Sequence, residues 1–300
     1  MDRIQAMTAF VAVADAGGFA AAARRLGLSP PSVTRAVAEL ETRIGAKLLH
    51  RTTRAVSATE AGQRYLEDCR RVLDEITEIE RHAAGVHAAP SGLVTVSASV
   101  LFGRMAVAPS LLNLLERYPD LAVNAVFLDR VVNIVEEGVD VAVRIADLPD
   151  SSFLATRVGE TRRIVCAAPA YAEVHGLPEM PDDLARHATI DFINASRSGA
   201  WTFHRNGAPE TARHRPRFRV NSADVAIAAA KAGKGLTRVL RYMVAADIEA
   251  GALVPVLDAF APPPLPVHVL HKEPGLTSAR VRAVVDHLVQ DLRRSPLLQS

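Results

Sequence analysis

The chain has 300 residues, 49% of them hydrophobic, and a formal net charge of +2, which suits two or three packed domains and excludes a disordered chain. No apolar run approaches the roughly 18–20 residues that cross a bilayer, and the opening Met1-Asp2-Arg3 lacks the apolar core of a signal peptide. Cys69 and Cys166 stand far apart with no neighbours at metal-ligand spacing, so a cytoplasmic protein with reduced thiols, no disulfide and no metal is expected.

In chain order, Ile4, Met7, Phe10, Val11 and Ala14 predict a first amphipathic helix that closes near Gly17-Gly18. Phe19 to Leu40 then reads as two helices joined by a tight turn. Phe19, Ala22, Ala23 and Leu26 recur at helical spacing, and Gly27 can supply a left-handed C-cap. Ser29 sits at the next N-cap and Pro30 at the first helical position. Val33, Ala36, Val37, Leu40 and Ile44 form one apolar face of this third helix. The opposite stripe holds Pro31, Arg35, Ala38 and Thr42, flanked by Ser32 and Thr34. A face that begins with small, hydroxylated and guanidinium groups can enter a major groove without collision. A two-helix corner on an enzyme surface would share the pattern, because the helix-turn-helix motif tolerates many sequences. Charge separates the two readings: from Ala20 to Arg64 eight bases face three acids, a local patch fit for a polyanion.

Gly45 ends the third helix, and the stretch Lys47 to Ser57 is short, basic and β-capable, as a hairpin wing is. Leu48 and Leu49 anchor it, while Arg51 and Arg54 are expected to reach outward, toward a phosphate backbone or minor groove or into solvent. Thr59 caps the following helix, with Glu60 in its first turn. Tyr65, Cys69, Val72, Ile76, Ile79, Ala83 and Val86 are spaced alternately by four and three residues, a heptad seam. From Glu60 to Ala88 such a helix is about 40 Å long. It needs a partner for its seam, either a second copy of itself or the chain's own globular part. Ala89-Pro90-Ser91-Gly92 ends it as a hinge.

Beyond the hinge, strands and helices alternate. Leu93 to Ser97, Ala122 to Leu128 and Val139 to Ile145 read as strands, with helices at Arg104 to Tyr118 and Val131 to Glu137. This order predicts a mostly parallel sheet covered on both faces. A second run follows through Arg163 to Ala168, Asp182 to Arg186, Thr189 to Ile193, Trp201 to His204 and Phe218 to Val220. Ser222 caps a helix from Ala223 to Ala232, and Leu236 to Leu240 and Val254 to Leu257 are short strands. Pro262-Pro263-Pro264 marks a crossover, after which Val267 to Leu270 and Ser278 to Leu292 return to the first lobe. Two α/β lobes leave a cleft, a usual place for a small ligand.

These residues resemble the LysR-type transcriptional regulators. The match runs through Phe19-Ala20-Ala21-Ala22-Ala23-Arg24-Arg25-Leu26, Leu28-Ser29-Pro30-Pro31-Ser32-Val33-Thr34-Arg35, Leu40-Glu41, Leu48-Leu49-His50-Arg51-Thr52-Thr53-Arg54 and Thr59-Glu60-Ala61-Gly62. Gly138-Val139-Asp140-Val141-Ala142-Val143-Arg144-Ile145 and Ala232-Gly233-Lys234-Gly235-Leu236 are similar to the family's effector domain. The resemblance implies a winged helix-turn-helix in residues 1–58, a dimerising linker helix in 59–89 and a two-lobed, periplasmic-binding-protein-like effector domain in 90–300. Lobe I would take about 91–161 and 266–300, and lobe II about 162–265. It also implies homodimers through the linker helix, paired into homotetramers. Two departures bear on specificity. The family's Ser-Gln-Pro at the recognition helix is Ser29-Pro30-Pro31 here, and its Leu-Pro pair near the cleft is Val239-Leu240.

Ser29, Pro31, Ser32, Thr34 and Arg35 are the candidates for major-groove contact, with Arg51 and Arg54 on the wing. Arg35 can pair bidentately with guanine, worth about 1–3 kcal/mol of discrimination, or grip phosphate. Candidate ligand residues lie at strand ends: Ser97, Ser99 and Leu101, then Arg144, Asn194, Asn221, Ser222, Thr237 and Arg238. Arg144 with the helix start at Ser222 points to a carboxylate or other small anion; Arg144 could instead pair with Asp147, and Ser99 and Thr237 could be capping hydroxyls. No catalytic elbow, zinc-protease motif or complete phosphate loop is present, since Gly233-Lys234-Gly235-Leu236-Thr237 lacks the required spacing. His268 and His271 are three apart on a strand and face opposite ways, and Trp201 reads as core. The sequence therefore predicts a DNA-binding regulator that senses a small molecule, without enzyme activity or cofactor. A solute-binding protein or two-lobed enzyme with an added helical N-terminus is the alternative.

Overall fold

The computed structural model describes residues 2–51, 56–83, 89–130, 134, 137–147, 153–193, 201–272 and 278–298, with the backbone alone at 74, 75, 78, 79 and 81–83. The chain divides into two compact units, Met1–Ala89 and Pro90–Ser300.

In the first unit α1 (Arg3–Ala16), α2 (Phe19–Leu26) and α3 (Pro30–Ile44) enclose Phe10, Val13, Val33 and Val37, all without solvent exposure. The three helices end on Gly17, Gly27 and Gly45 at φ of 65°, 66° and 75°, the left-handed turn a side chain would strain. Ser29 Oγ accepts from the Ser32 amide at 3.3 Å and starts α3. Strands β1 (Leu49–Arg51) and β2 (Val56–Ala58) pair antiparallel, Leu49 opposite Ala58. Arg54, between them in sequence, lies outside the described residues.

The long helix α4 (Glu60–Ala83) starts where Thr59 Oγ1 accepts from the Gly62 amide at 2.9 Å and donates to the Lys47 carbonyl at 2.7 Å. Its seam does not wait for a second copy throughout. Tyr65 packs on Phe10 with ring centres 5.8 Å apart, Cys69 is fully buried in the same core, and Arg70 pairs with Asp15 of α1. The first two seam positions are thus spent on the chain's own domain, because α4 lies against α1. Val72 is still 38% exposed and Ile76 half-buried. The side chains of Ile79 and Ala83, and all of Val86, lie outside the described residues.

The second unit has two five-stranded sheets. The first is built from β3 (Gly92–Ala98), β4 (Leu121–Phe127), β5 (Val141–Ile145) and β6 (Phe153–Thr161), closed by a strand that returns from the chain's end. The connection after β3 is α5 (Val100–Phe102), a π turn (Gly103–Val107) and α6 (Ala108–Arg117). The second sheet takes β7 (Arg163–Ala167), β8 (Ala188–Phe192), β11 (Arg215–Val220), β12 (Leu236–Leu240) and β13 (Val254–Val256). A separate hairpin, β9 (Trp201–Arg205) with β10 (Ala208–Ala212), stands beside it. Helices α7 (Pro169–His175), α8 (Ala223–Lys231) and α9 (Arg241–Glu249), with a 3-10 turn at Pro181–Arg186, belong to this second lobe. The chain then crosses back as β14 (Leu265–Lys272) and α10 (Ala279–Leu292).

Each sheet is mixed, with four strands running one way and one against them. The orders are β4-β3-β5-β14-β6 and β11-β8-β12-β7-β13; the first three strands of each pair parallel, and β14 in the first and β7 in the second run against the other four. The crossover strands β6 and β14 pair antiparallel, Val269 opposite Thr156, because a chain that leaves a lobe and re-enters must run both ways along its edge. The sequence reading omitted β6, α7, β10 and α9; the predicted helix from Val131 falls largely outside the described residues. One apolar core joins the two lobes, from Val94 and Val96 through Phe102 to Tyr242 and Val244.

Candidate nucleic-acid interface and ligand cleft

On α3 the apolar face is spent on the core, with Val33, Ala36 and Val37 fully buried. The opposite face is open: Ser29, Pro31 and Arg35 are exposed, Ser32 and Thr34 partly so. The hydroxyls are locally tied. Ser29 and Ser32 Oγ lie 2.8 Å apart, and Thr34 Oγ1 donates to the Pro30 carbonyl at 2.9 Å. Arg35 is different: among the described residues its guanidinium has no hydrogen-bond or ion-pair partner. It is the long cation on this face that the fold does not use.

Arg51 does not simply reach outward. It donates to Glu41 Oε2 at 3.3 Å and lies over the Phe19 ring, 4.9 Å from its centre. Glu41 is the residue whose role the sequence did not reveal. Its side chain is 2% exposed, and it accepts from Lys47 Nζ at 2.9 Å and from the amides of Leu48 and Leu49 at 3.0 and 3.3 Å. Burial pushes this carboxyl up, but the bonds from Lys47, Leu48 and Leu49 and the charge of Arg51 outweigh it and hold the group below the usual carboxylate range. The acid on α3 thus clamps the start of the wing to the recognition helix. The sequence signal was the Leu40-Glu41 pair within the family resemblance, an acid in a stretch where bases outnumber acids.

In the second unit, two groups of residues come together. Ser97 on β3 and Arg144 on β5 meet on one face of the first sheet, where Arg144 donates to Ser97 Oγ at 3.1 Å and to the Val143 carbonyl at 3.2 Å. No carboxylate pairs with Arg144 among the described residues; Glu137 acts on it at longer range, and burial pushes its pKa down. Asp147, the alternative partner for Arg144, acts instead on Arg163. Where the lobes meet, Ser99 begins α5 and its neighbour Val100 donates its amide to Asp129 at 3.0 Å. Phe102 meets Tyr242 edge-on at 5.3 Å, and Arg104 pairs with Asp224 of α8 at 3.1 Å. Burial, and the nearby Asp224 charge, raise Asp129 above the usual carboxylate range. Ser222 caps α8, accepting from the Val225 amide at 3.4 Å, and Asn221 beside it is exposed.

Three candidates sit elsewhere. Leu101 is buried in the core. Thr237 is fully buried, its hydroxyl donating to the Ile190 carbonyl at 3.1 Å. Arg238 follows it and so points to the other face of the sheet, where it lies 5.6 Å over the Trp201 ring and donates to the Thr202 carbonyl at 3.2 Å. Burial and then Arg163 pull Arg238 down to about 10, against Asp191. Trp201 is buried as read, and it stacks on His214, which holds Asp191 at 2.9 Å. Asn194 lies outside the described residues.

Comparison with known proteins agrees with this two-part architecture. Residues 4–63 match the model of bacterial regulatory helix-turn-helix proteins of the lysR family, and residues 87–293 match the LysR substrate binding domain. An HTH-type transcriptional repressor of Pseudomonas aeruginosa (strain UCBPP-PA14) is 33% identical over all of this chain and 95% of its own length. The HTH-type transcriptional activator AaeR of Escherichia coli (strain K12) is 30% identical over 96% of this chain and 93% of its own. Among solved structures, CrgA of Neisseria meningitidis is 29% identical with a TM-score of 0.62, covering 96% of this chain and 98% of that one.

Proposed function

We propose, from the premise that the chain belongs to the LysR family of transcriptional regulators, which residues of it read DNA and which hold its effector. It is a regulator and not an enzyme, with a helix-turn-helix unit for DNA and a two-lobed unit for a small-molecule effector. In our reading α3 enters the major groove with Ser29, Pro31, Ser32, Thr34 and Arg35, and the wing carries Arg51 and Arg54 to the backbone or minor groove. The unpaired Arg35 on an otherwise satisfied helix face is the observation that carries this. The division of the chain would be residues 1–58 for DNA, 59–89 for pairing and 90–300 for the effector.

For the effector we read a small organic anion. The half-buried guanidinium of Arg144, held by Ser97 and lacking a carboxylate among the described residues, supports a carboxylate ligand. Ser99, Asn194, Asn221 and Ser222 complete the set, with Leu101 and Thr237 as its buried support, while Arg238, held over Trp201 on the other face of β12, falls outside it. The protein would work in the cytoplasm as a homodimer through α4, with two dimers forming a tetramer on one operator. Effector binding would shift the packing of dimers only by its unequal affinity for the two arrangements. Footprinting of the upstream region with wild type and Arg35→Ala tests the reading. A wild-type footprint that the variant loses, at unchanged oligomer size, supports it; an identical footprint removes Arg35.

A further inference from the structure

Two arginines of the second lobe share a sheet face and serve neither the DNA-binding unit nor the effector set. In the antiparallel pair of β7 and β12, Arg163 stands opposite Leu240 and Val165 opposite Arg238. Residues directly opposite share a face, and diagonal neighbours lie roughly 7–8 Å apart, within reach of long side chains. Arg163 and Arg238 are therefore diagonal neighbours on one face. It is the face of Val165, which packs with Trp201 and Phe203, while Ile164 and Cys166 turn to the core on the other side. Both arginines are half-buried.

Like charges so placed repel, and burial strips water from each. Burial holds both guanidiniums below the usual arginine range, and the charge of Arg163 lowers Arg238 further. The acids nearby do not close the balance. Asp147 acts on Arg163 and Asp191 on Arg238, but Asp191 already meets His214 Nε2 at 2.9 Å and Arg219 Nε at 3.6 Å. Among the described residues Arg163 has no hydrogen-bond or ion-pair partner. Arg238 is oriented by the Thr202 carbonyl at 3.2 Å and by the Trp201 ring, whose centre is 5.6 Å away; neither carries a negative charge.

We propose that Arg163 and Arg238 form a site for a small, doubly charged oxyanion: a phosphate, a sulfate or a short dicarboxylate. Two guanidiniums match such a dianion in charge, and each offers a planar fork to paired oxygens. Trp201 and Thr202 fix the direction of Arg238, and Arg163 is open to complete the grip. A bound dianion accounts for two half-buried like charges held side by side, an arrangement that by itself costs the fold stability. The site lies on the second sheet, apart from Arg144 and Ser97 on the first, so it does not rest on the effector reading.

Trp201 is the only tryptophan of the chain, so its emission reports this site in the full-length protein. Sodium sulfate, phosphate or succinate, titrated against sodium chloride at matched ionic strength, should change that emission saturably. Tm should rise by about 2–4 °C at roughly five times the Kd. Sulfate and phosphate also stabilise any fold by exclusion from its surface, a rise that does not saturate and that variants share. Arg163→Gln should lose the saturable response. It breaks no hydrogen bond or ion pair among the described residues, so it should melt no lower than wild type in chloride. Arg163→Lys keeps the charge without the fork and should respond with weaker affinity. Arg144→Met should respond as wild type does, whatever becomes of the effector reading. A saturable response to any of the three anions that Arg163→Gln loses supports the site, and the tightest of them separates a tetrahedral oxyanion from a dicarboxylate. No saturable response in wild type, or an equal one in Arg163→Gln, overturns it.

Discussion

Arg51 of the wing and Glu41 of the recognition helix are joined at 3.3 Å, through a carboxylate that is 2% exposed. The wing arginine is therefore placed by an acid on the helix it accompanies, and the pair ties the two elements together as one piece.

Removing that acid should loosen the wing. Glu41→Gln keeps an oxygen for the Leu48 and Leu49 amides but leaves Lys47 and Arg51 without their counter-charge. We expect a loss of about 1.5–3 kcal/mol for the charged bonds, read as a lower urea midpoint. Operator affinity should fall as well, since Arg51 is no longer oriented. An unchanged midpoint would show the clamp to be dispensable.

The same carboxyl sets an acid sensitivity. Its folded pKa lies below the usual carboxylate range. The stabilisation is therefore present above about pH 4.5 and is lost as pH falls through the folded value. Thermal melts below pH 5 should show wild type losing its advantage over Glu41→Gln, and the two curves converging. Parallel curves over that range would contradict the assignment.

Gly62→Ala should invert the usual helix rule. In an ordinary helix this change gains up to about 1 kcal/mol. Here the new Cβ would lie 1.9 Å from the Leu48 carbonyl oxygen, a backbone atom that cannot rotate away. Overpacking of this kind costs about 1–3 kcal/mol, so chemical denaturation should report a destabilised variant. A more stable one would mean that α4 shifts freely.

Arg144→Met separates a ligand residue from a structural one. Burial of an unpaired guanidinium is costly, so the variant without ligand should melt higher than wild type. It should also lose the rise in Tm that small organic acids give the wild type. A lower Tm with the acid response intact would make Arg144 part of the scaffold.

Val72→Asp probes the free part of the α4 seam. Val72 is 38% exposed in the single chain, so the substitution should leave the melting of the helix-turn-helix core within about 0.5 kcal/mol. It should still shift sedimentation to a smaller species. The same oligomer in the variant would place the pairing surface elsewhere.

Legibility differed between the two units for physical reasons. Helices α1 to α3 were readable because each buries one face at helical spacing and ends on a glycine that takes the left-handed turn; Ser29 and Pro30 marked the start of α3 in the same local way. In the second unit, strands β6 and β10 and helices α7 and α9 were not read, because β6 and β10 are largely open to solvent and the two helices are short with only one or two buried residues each, which leaves no apolar period. The candidate ligand residues were chosen by position along the chain. Yet Thr237 and Arg238, adjacent in sequence, serve opposite faces of one strand, and Leu101 lies in the core.

What the order of residues determined alone is a winged helix-turn-helix with a long following helix and a two-lobed α/β unit, since caps, periodicity and local charge act between near neighbours. Only the tertiary structure decided that Tyr65 and Cys69 of the long helix close onto their own domain, that Glu41 holds Arg51, and that Arg144 meets Ser97 rather than Asp147. Each of these joins residues from different elements, through burial and charge that no local spacing encodes.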